Sequence, residues 1–339
     1  MTSENAKRFF ENYLGENSSE FITLAQSGSA RVNFLAEAGT RKYIVTSNEN
    51  IPENESFIYY SEIFSGLNLN TPTVLAVSDD RKIYVQEYLG GNTLSELISK
   101  EGLSDRIQAL VKQTLEKLFR LQILTQDKID FSKTFEYERY DELPVIHDLY
   151  YFKNFVADVL ELEYRKSALL KEFKQIASLI ENLEPQGMMI RDFQARNIMV
   201  NEQDHVSFID YQSAMQGPLM YDVISFLFQA KADFPEHFKN EMLDFYISQF
   251  ENPETQHQLK ESVKPMQMMR FLQVLGAYGF RGLIQRKQHF LSSLKTGIRN
   301  ITQLADSWEQ MDYFPELKKV ISQLGTEETT LKIDMILNH

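Results

Sequence analysis

The stretch MMIRDFQARNIMV, residues 188–200, sets Asp192 and Asn197 five positions apart between apolar flanks, and the later run VSFID closes on a second acid, Asp210. This set suits phosphoryl transfer, in which the protein does little covalent work and mainly positions an acceptor hydroxyl and neutralises charge with metal ions. Asp192 has the chemistry to accept or orient the hydroxyl proton. The Asn197 amide oxygen and the Asp210 carboxylate make a pair of hard oxygen donors for Mg²⁺. Arg196, beside Asn197, is a cation able to pair with Asp210, with Asp222 or with a phosphate oxygen. Singly, such residues are more often caps or turn formers. Their grouping is what points to chemistry.

The elements that must position them can be read from periodicity. NIMV (197–200) and HVSFID (205–210), separated by NEQD, read as a hairpin that brings Asn197 and Asp210 toward its open end. Nearer the start, FITLAQ, RVNFLAE and KYIVTSN alternate like strands, with QSGSA and AGTR as turns between them. ENESFIYYSEIFSGL follows as a helix ending at Gly66, and then come two further strands, TPTVLAVS and KIYVQEYL. From Leu94 onward the texture is helical, with Ser104 as an N-cap for the face Ile107, Leu110, Val111, Leu115 and Leu118. The order predicts an α+β chain: a small five-stranded antiparallel lobe over 1–88, a hinge near Gln86–Gly90, and a larger mainly helical lobe over 89–339 that carries the hairpin. The tail TTLKIDMILNH alternates like a strand, read either as an added edge strand or as the start of an extension.

These motifs resemble the kinase-like phosphotransferases that include aminoglycoside phosphotransferases, choline kinases and the anomeric amino-sugar kinases of bacterial cell-wall recycling. RDFQARNIMV resembles the last group's catalytic loop. IDYQSAMQGPLMYDVISFL resembles its second metal-binding segment, with Gln212, Gly217, Pro218, Tyr221 and Asp222 all matching. The resemblance implies a protein kinase-like bilobal fold, ATP with Mg²⁺, and a small sugar-like acceptor, most specifically an N-acetylated amino sugar. An aminoglycoside- or choline-type kinase is the nearest alternative, and a pseudokinase or nucleotide-binding module is another.

The chain departs from the pattern twice. Ile190 stands where the family often carries histidine, and an apolar side chain can brace a buried loop by packing instead. Protein kinases end their third strand in a phosphate-gripping lysine, but here that end reads Ile44-Val45-Thr46-Ser47. Lys42 lies four residues from Thr46, about 13 Å along a strand, too far to substitute. Arg31, directly after the small-residue loop holding Ser27, Gly28 and Ser29, is the better cation, and that loop's backbone N–H groups suit phosphate oxygens. Glu53 and Glu55 in the first helix are both candidates to organise the site. Gln86, Glu87 and Tyr88 occupy the hinge, where backbone groups would meet adenine. For the acceptor, relatives place an acid and aromatics on the helix before the catalytic loop, which implies Asp148 and Tyr151 in PVIHDLYYFKNF. Asp222 of the second segment and Arg281 of GAYGFRGLIQR complete the acceptor set, the arginine suiting a lactyl or carboxyl group.

Composition bounds the partners. The 339 residues exceed the size at which one core keeps growing, so two lobes are expected. With 43% hydrophobic and 24% charged residues the composition is globular. A formal charge of −13 and the lack of basic runs disfavour a nucleic-acid partner. No cysteine is present, which removes disulfides and thiolate metal sites. No run of about 18 apolar residues exists to span a bilayer, and the polar start lacks a secretory apolar core, so a cytoplasmic protein without membrane association is expected. HExxH, GxSxG and GxxxxGK[ST] are all absent, which excludes zinc-hydrolase, serine-hydrolase and P-loop chemistry. Oligomeric state has no signal.

Overall fold

The computed structural model describes residues 2–25 and 30–338. In chain order the elements are α1 (Thr2–Leu14), β1 (Glu20–Thr23), β2 (Val32–Ala38), β3 (Arg41–Ser47), α2 (Ile51–Gly66), β4 (Val74–Val77), β5 (Ile83–Glu87), β6 (Asn92–Thr93), α3 (Leu94–Glu101) and α4 (Asp105–Leu124). They continue with α5 (Glu142–Phe152), α6 (Lys166–Glu181), β7 (Gln186–Met189), β8 (Ile198–Val200), β9 (Val206–Phe208), β10 (Met215–Pro218), α7 (Met220–Leu227), α8 (Glu236–Ser248), α9 (Pro253–Tyr278), α10 (Gln288–Ser307), α11 (Pro315–Leu324) and α12 (Glu327–Asn338). Two compact units result. One comprises 1–138 with 190–215, the other 139–189 with 216–339. A division by element type falls near residue 88, whereas α3, α4 and the β8–β9 hairpin group with the sheet. No helix among the described residues is long and apolar enough to cross a membrane.

The first unit is built on a five-stranded sheet in the order β1-β2-β3-β5-β4, with neighbouring strands antiparallel. Because strand side chains alternate between faces, the two faces have different fates. Phe34, Ala36 and Ala38 of β2, Tyr43 and Val45 of β3 and Val85 of β5 form a buried layer with Ala6 and Phe10 of α1. Phe10 meets the Tyr43 ring edge-on at 5.3 Å, and burying such a ring contributes about 2–3 kcal/mol. The opposite face presents Asn33, Leu35, Ile44 and Gln86 to a cleft. Helix α2 ends at Gly66 as sequence places it but begins two residues earlier than the stretch from Glu53, at Ile51: Asn50 caps Glu53 N at 3.4 Å, and a proline occupies the first turn.

The β8–β9 hairpin forms as expected, pairing Ile198 with Phe208 and Val200 with Val206. Its turn is made by Asn201, whose side chain accepts from Gln203 N and His205 N. The two-residue strand β6 adds to it, Asn92 opposite Val200. A capping box at Thr93 and Glu96 then starts α3.

The second unit is mainly helical, with the two-stranded sheet β10-β7. Helix α9 runs 26 residues beside α5, α7 and α10. It approaches α5 so closely that a Cβ on Gly276 would lie 2.8 Å from Phe152 N. Both helices pass into π turns, at Lys153–Ala157 and Gly279–Ile284, a geometry often found at functional sites. Helices α6 and α11 cap one another. Glu172 accepts from Glu316 N (2.8 Å) and Leu317 N (2.7 Å), and Glu316 accepts from Arg165 N (2.7 Å).

The tail is the clear correction. It is helix α12, not a strand. Of the alternating set Leu331, Ile333 and Met335 only Ile333 is buried, so nothing rewards a period of two. Thr326 accepts from Thr329 N at 3.3 Å and two acids occupy the first turn, both helix-starting signals.

Candidate active site

The catalytic loop is fixed by packing and by one amide. Ile190 is buried, as an apolar brace requires, and Phe193 meets Phe208 of β9 edge-on at 4.9 Å. Asn197 Nδ2 donates to Asp192 O at 2.9 Å and to Asp210 Oδ2 at 3.1 Å. One side chain therefore joins the three residues that sequence grouped, and it commits the amide nitrogen, turning the amide oxygen away from those contacts. Two residues here hold left-handed backbone without being glycine: Arg191 (φ 70°), just before Asp192, and Asp210 (φ 66°). Such conformations cost about 1–3 kcal/mol each and concentrate at functional sites. Arg191 is held near Glu136 (3.7 Å) and over the Tyr137 ring.

Asp210 is the electrostatic centre. Burial pushes its carboxyl up, but the Arg31 charge and hydrogen bond, the Gln212 amide at 3.1 Å and the charge of Arg196 outweigh burial and hold it below the usual carboxylate range. Arg196 is exposed and acts on Asp210 through charge.

Arg31 gathers three partners. It bonds Asp210 through Nη2, Gln212 Oε1 through Nη1 at 3.1 Å, and Glu53 Oε1 through Nε at 3.2 Å. Of the two helix acids, Glu53 is thus the one at the site. Glu55 turns to Arg81, whose Nη2 donates to it at 2.8 Å. Glu53 is steadied by Asn48 Nδ2 at 2.9 Å. Lys42, as expected, is elsewhere, on Glu37 at 2.7 Å.

Helix α2 is bonded to the segment after Asp210. Ser56 Oγ donates to Gln212 O (2.7 Å), Tyr60 Oη donates to Ala214 O (2.8 Å), and Ser61 shares a hydrogen with Tyr211 (2.7 Å). Phe57 stacks on Tyr84 at 5.1 Å and on Tyr211 at 4.9 Å. Sequence reasoning missed Ser56, Tyr60, Ser61 and Tyr211. The only signal was the concentration of aromatics in SFIYYSEIF and IDYQ.

Phe57 and Tyr84 of this group line a cleft of about 390 Å³, a volume ordinary for small-molecule and cofactor sites. Its walls include Leu24, Leu35, Ile44, Met199 and Ile209, and its charged groups include Arg31, Arg196 and Asp210, with the Asn197 amide beside them. Residues 87–91 also line it. The hinge side chains are partly engaged: Gln86 Nε2 donates to Thr46 Oγ1 at 3.3 Å, Glu87 accepts from Thr73 N at 2.9 Å, and Tyr88 carries the Lys42 ammonium over its ring. Gly90 (φ 138°) passes against β8, where a Cβ would lie 2.7 Å from Val200 O. Ser27, Gly28 and Ser29 lie outside the described residues.

The four acceptor candidates fall in the second unit and divide evenly. Asp148 is 3% exposed and accepts from Tyr140 Oη at 2.9 Å. Asp222 is 0% exposed, within a helix buried throughout. Tyr151 and Arg281 do come together: burial pushes the Tyr151 phenol up and the Arg281 charge opposes it. Tyr151, in the last turn of α5, packs on Phe155 (4.6 Å) and Phe280 (5.9 Å) of the two π turns. Phe155 and Phe280 were not anticipated.

The APH phosphotransferase enzyme family matches residues 22–261. Among curated proteins, an N-acetylmuramate/N-acetylglucosamine kinase of Neisseria meningitidis is 26% identical over 223 residues, 62% of this chain and 63% of that protein. One of Pseudomonas aeruginosa is 25% identical over 222 residues, 64% and 62% of the two chains. The chain thus spans just under two thirds of the length of these relatives. Among solved structures, a choline kinase from Streptococcus pneumoniae aligns with a TM-score of 0.59 at 15% identity, covering 89% of this chain and 98% of that one. An aminoglycoside phosphotransferase mutant in ternary complex with ADP and hygromycin B aligns with a TM-score of 0.60 at 16% identity, covering 90% and 99%. At these identities the structural likeness speaks for the kinase-like α+β fold. The match over residues 22–261 goes further: the chain belongs to the APH phosphotransferase enzyme family.

Proposed function

We propose that the chain transfers a phosphoryl group from ATP, taken with Mg²⁺, to a hydroxyl of a small sugar, an N-acetylated amino sugar being the preferred acceptor. The observation that carries this reading is the Asn197 amide, which ties the Asp192 backbone to the Asp210 carboxylate. The donor set fits the metal. An ionised carboxylate and an amide oxygen are hard ligands, and Mg²⁺ is commonly held by one or two protein carboxylates plus phosphates and waters. Among the described residues no cluster of three or more His, Cys, Asp or Glu suggests another metal. Bound there, Mg²⁺ would offset the negative charge of the phosphates.

The remaining roles belong to the chain. Adenine lies between Leu35 and Ile44 on the sheet and Met199 and Ile209 on the hairpin, against the hinge backbone beginning at Gln86, Glu87 and Tyr88. Asp192 accepts the hydrogen bond of the acceptor hydroxyl and takes its proton as the new O–P bond forms and the bond from the γ-phosphorus to the bridging oxygen breaks, releasing ADP, while Arg196 adds positive charge beside the transferred group. The region 1–88 would serve the nucleotide, and 89–339 the catalytic loop and acceptor. Tyr151 with Phe155 and Phe280 offers an apolar platform for a sugar ring face, and Arg281 a partner for an anionic substituent. The amino-sugar preference also rests on the names of the curated relatives.

An ADP-release screen over N-acetylmuramic acid, N-acetylglucosamine, choline and an aminoglycoside tests the acceptor. Turnover with choline alone would sink the sugar assignment. Asp192→Asn is expected to retain ATP binding and to lose turnover by about 10²–10⁴-fold, and unchanged turnover would remove Asp192 from its role. Thermal stabilisation by ATP that is independent of Mg²⁺, with no turnover on any acceptor, would leave only a nucleotide-binding module.

A further inference from the structure

We infer that Arg31 is the phosphate-gripping cation of this site, delivered by the entry to the second strand in place of a third-strand lysine, with Glu53 as its orienting carboxylate. The inference rests on the nucleotide reading above and deepens it.

Strand register explains how an arginine from β2 can serve a position on β3. Asn33 lies directly opposite Thr46, and Thr46 Oγ1 donates to Asn33 Oδ1 at 2.8 Å. Their side chains therefore share one face of the sheet, the face on which Asn33 lines the cleft. Alternate residues of an extended strand share a face, so Arg31, two residues before Asn33, emerges there as well, one step along the neighbouring strand. Its longer side chain spans that step.

The third-strand position is meanwhile filled. Thr46 is fully buried, bonded to Asn33 and receiving Gln86 Nε2. Tyr84 sits opposite Thr46 in the β3–β5 pairing and is also buried. Burial pushes its phenol up, with the Arg31 charge and hydrogen bonds to Thr46 and Arg31 acting against it. Neutral, hydrogen-bonded groups thus occupy the place of an ammonium, and the charge has moved to Arg31.

Arg31 is also presented as a phosphate ligand should be. Glu53 holds Nε, and Glu53 is itself fixed by Asn48. The two Nη groups reach Gln212 and Asp210. A phosphate bound beside Asp210 would meet those same groups, and a guanidinium fork binds phosphate at two points where an ammonium offers one. Among the described residues lining the cleft, the cations are Arg31 and Arg196, and only Arg31 is tied to a helix acid.

Titration calorimetry with adenosine, ADP and ATP in the presence of MgCl₂ tests this. Arg31→Ala is expected to weaken ADP and ATP binding by about ten- to a hundredfold, the loss of a charged hydrogen-bonding group, and to leave adenosine binding within about twofold. Glu53→Gln is expected to weaken ADP several-fold with the same indifference to adenosine. Wild-type ADP affinity in Arg31→Ala overturns the inference, as does a parallel loss of adenosine, which marks a merely structural arginine. Should Arg31→Ala fail to fold, Arg31→Gln and Glu53→Gln carry the same comparison. A wild-type chain that binds neither ADP nor ATP overturns the nucleotide reading too, so the two failures are distinguishable.

Discussion

Substituting alanine at three glycines of the first unit separates backbone strain from close approach. Gly90 combines both: its φ is +138°, and a Cβ would stand 2.7 Å from Val200 O, 3.0 Å from Val200 C and 3.1 Å from Asn201 Cα. All three atoms are backbone. Val200 is paired on both sides, to Asn92 and to Val206, so it has little room to yield. Strain of about 1–3 kcal/mol adds to overpacking of about 1–3 kcal/mol, giving a loss of about 2–6 kcal/mol for Gly90→Ala. Gly39 has φ +60° but open space around its Cβ, so Gly39→Ala should cost only the left-handed penalty of about 1–2 kcal/mol. Gly66 has open space and no positive φ, so Gly66→Ala should be neutral or gain about 0.4–1 kcal/mol. Urea unfolding reads the series as midpoint shifts at constant slope. Because the Gly90 backbone lines the cleft, its variant should also bind ATP less tightly. Gly90→Ala within about 0.5 kcal/mol of wild type, or no more costly than Gly39→Ala, would refute the claim that the hinge is locked against β8; surface substitutions commonly stay within that margin.

Three further perturbations address other parts of the molecule. Asn197→Ala removes the amide that joins Asp192 O and Asp210, and should raise the Mg²⁺ concentration needed for ATP-dependent thermal stabilisation by at least about tenfold; an unchanged requirement would dismiss Asn197 as a ligand. Tyr60→Phe leaves Ala214 O without its buried donor and should cost about 1–3 kcal/mol in urea unfolding, with a neutral result showing that the bond contributes nothing. Glu316 is held below the usual carboxylate range by Arg165, chiefly through its backbone N–H and then its guanidinium. A depressed carboxyl stabilises fully above its unfolded value of about 4.3 and loses that contribution as pH falls through the lower folded value. The stability gap between wild type and Glu316→Gln should therefore narrow between about pH 5 and pH 3, and a gap constant over that window would contradict the assignment.

Sequence carried the sheet, α2 and the hairpin because each has enough residues for its periodicity to show, and their turns hold residues suited to them. The trio Asp192, Asn197 and Asp210 was legible because a hairpin converts sequence spacing into proximity. Strands β6, β7 and β10 were not legible: β6 has two residues, and QGMM and MQGP carry glycine or proline, which read as turn residues. The choice between Glu53 and Glu55 was also hidden, since it depends on which face of α2 meets Arg31 and which meets Arg81. The burial of Asp148 and Asp222 was hidden for a related reason. A carboxylate near a catalytic motif reads alike whether it faces solvent or is wholly buried, and only packing separates the two cases.

The bonds from α2 to the segment after Asp210 bear on how such a chain can be governed. Protein kinases use movement of the corresponding helix as a control element, set by phosphorylation. Here, pulling α2 away would strand three buried hydrogen-bonding pairs, through Ser56, Tyr60 and Ser61. At about 1–3 kcal/mol for each abandoned group, the displaced form falls below about one molecule in a hundred even at the low end. An effector would have almost no second population to select. The throughput of a chain built this way follows the supply of its ligands, as a fixed valve follows pressure.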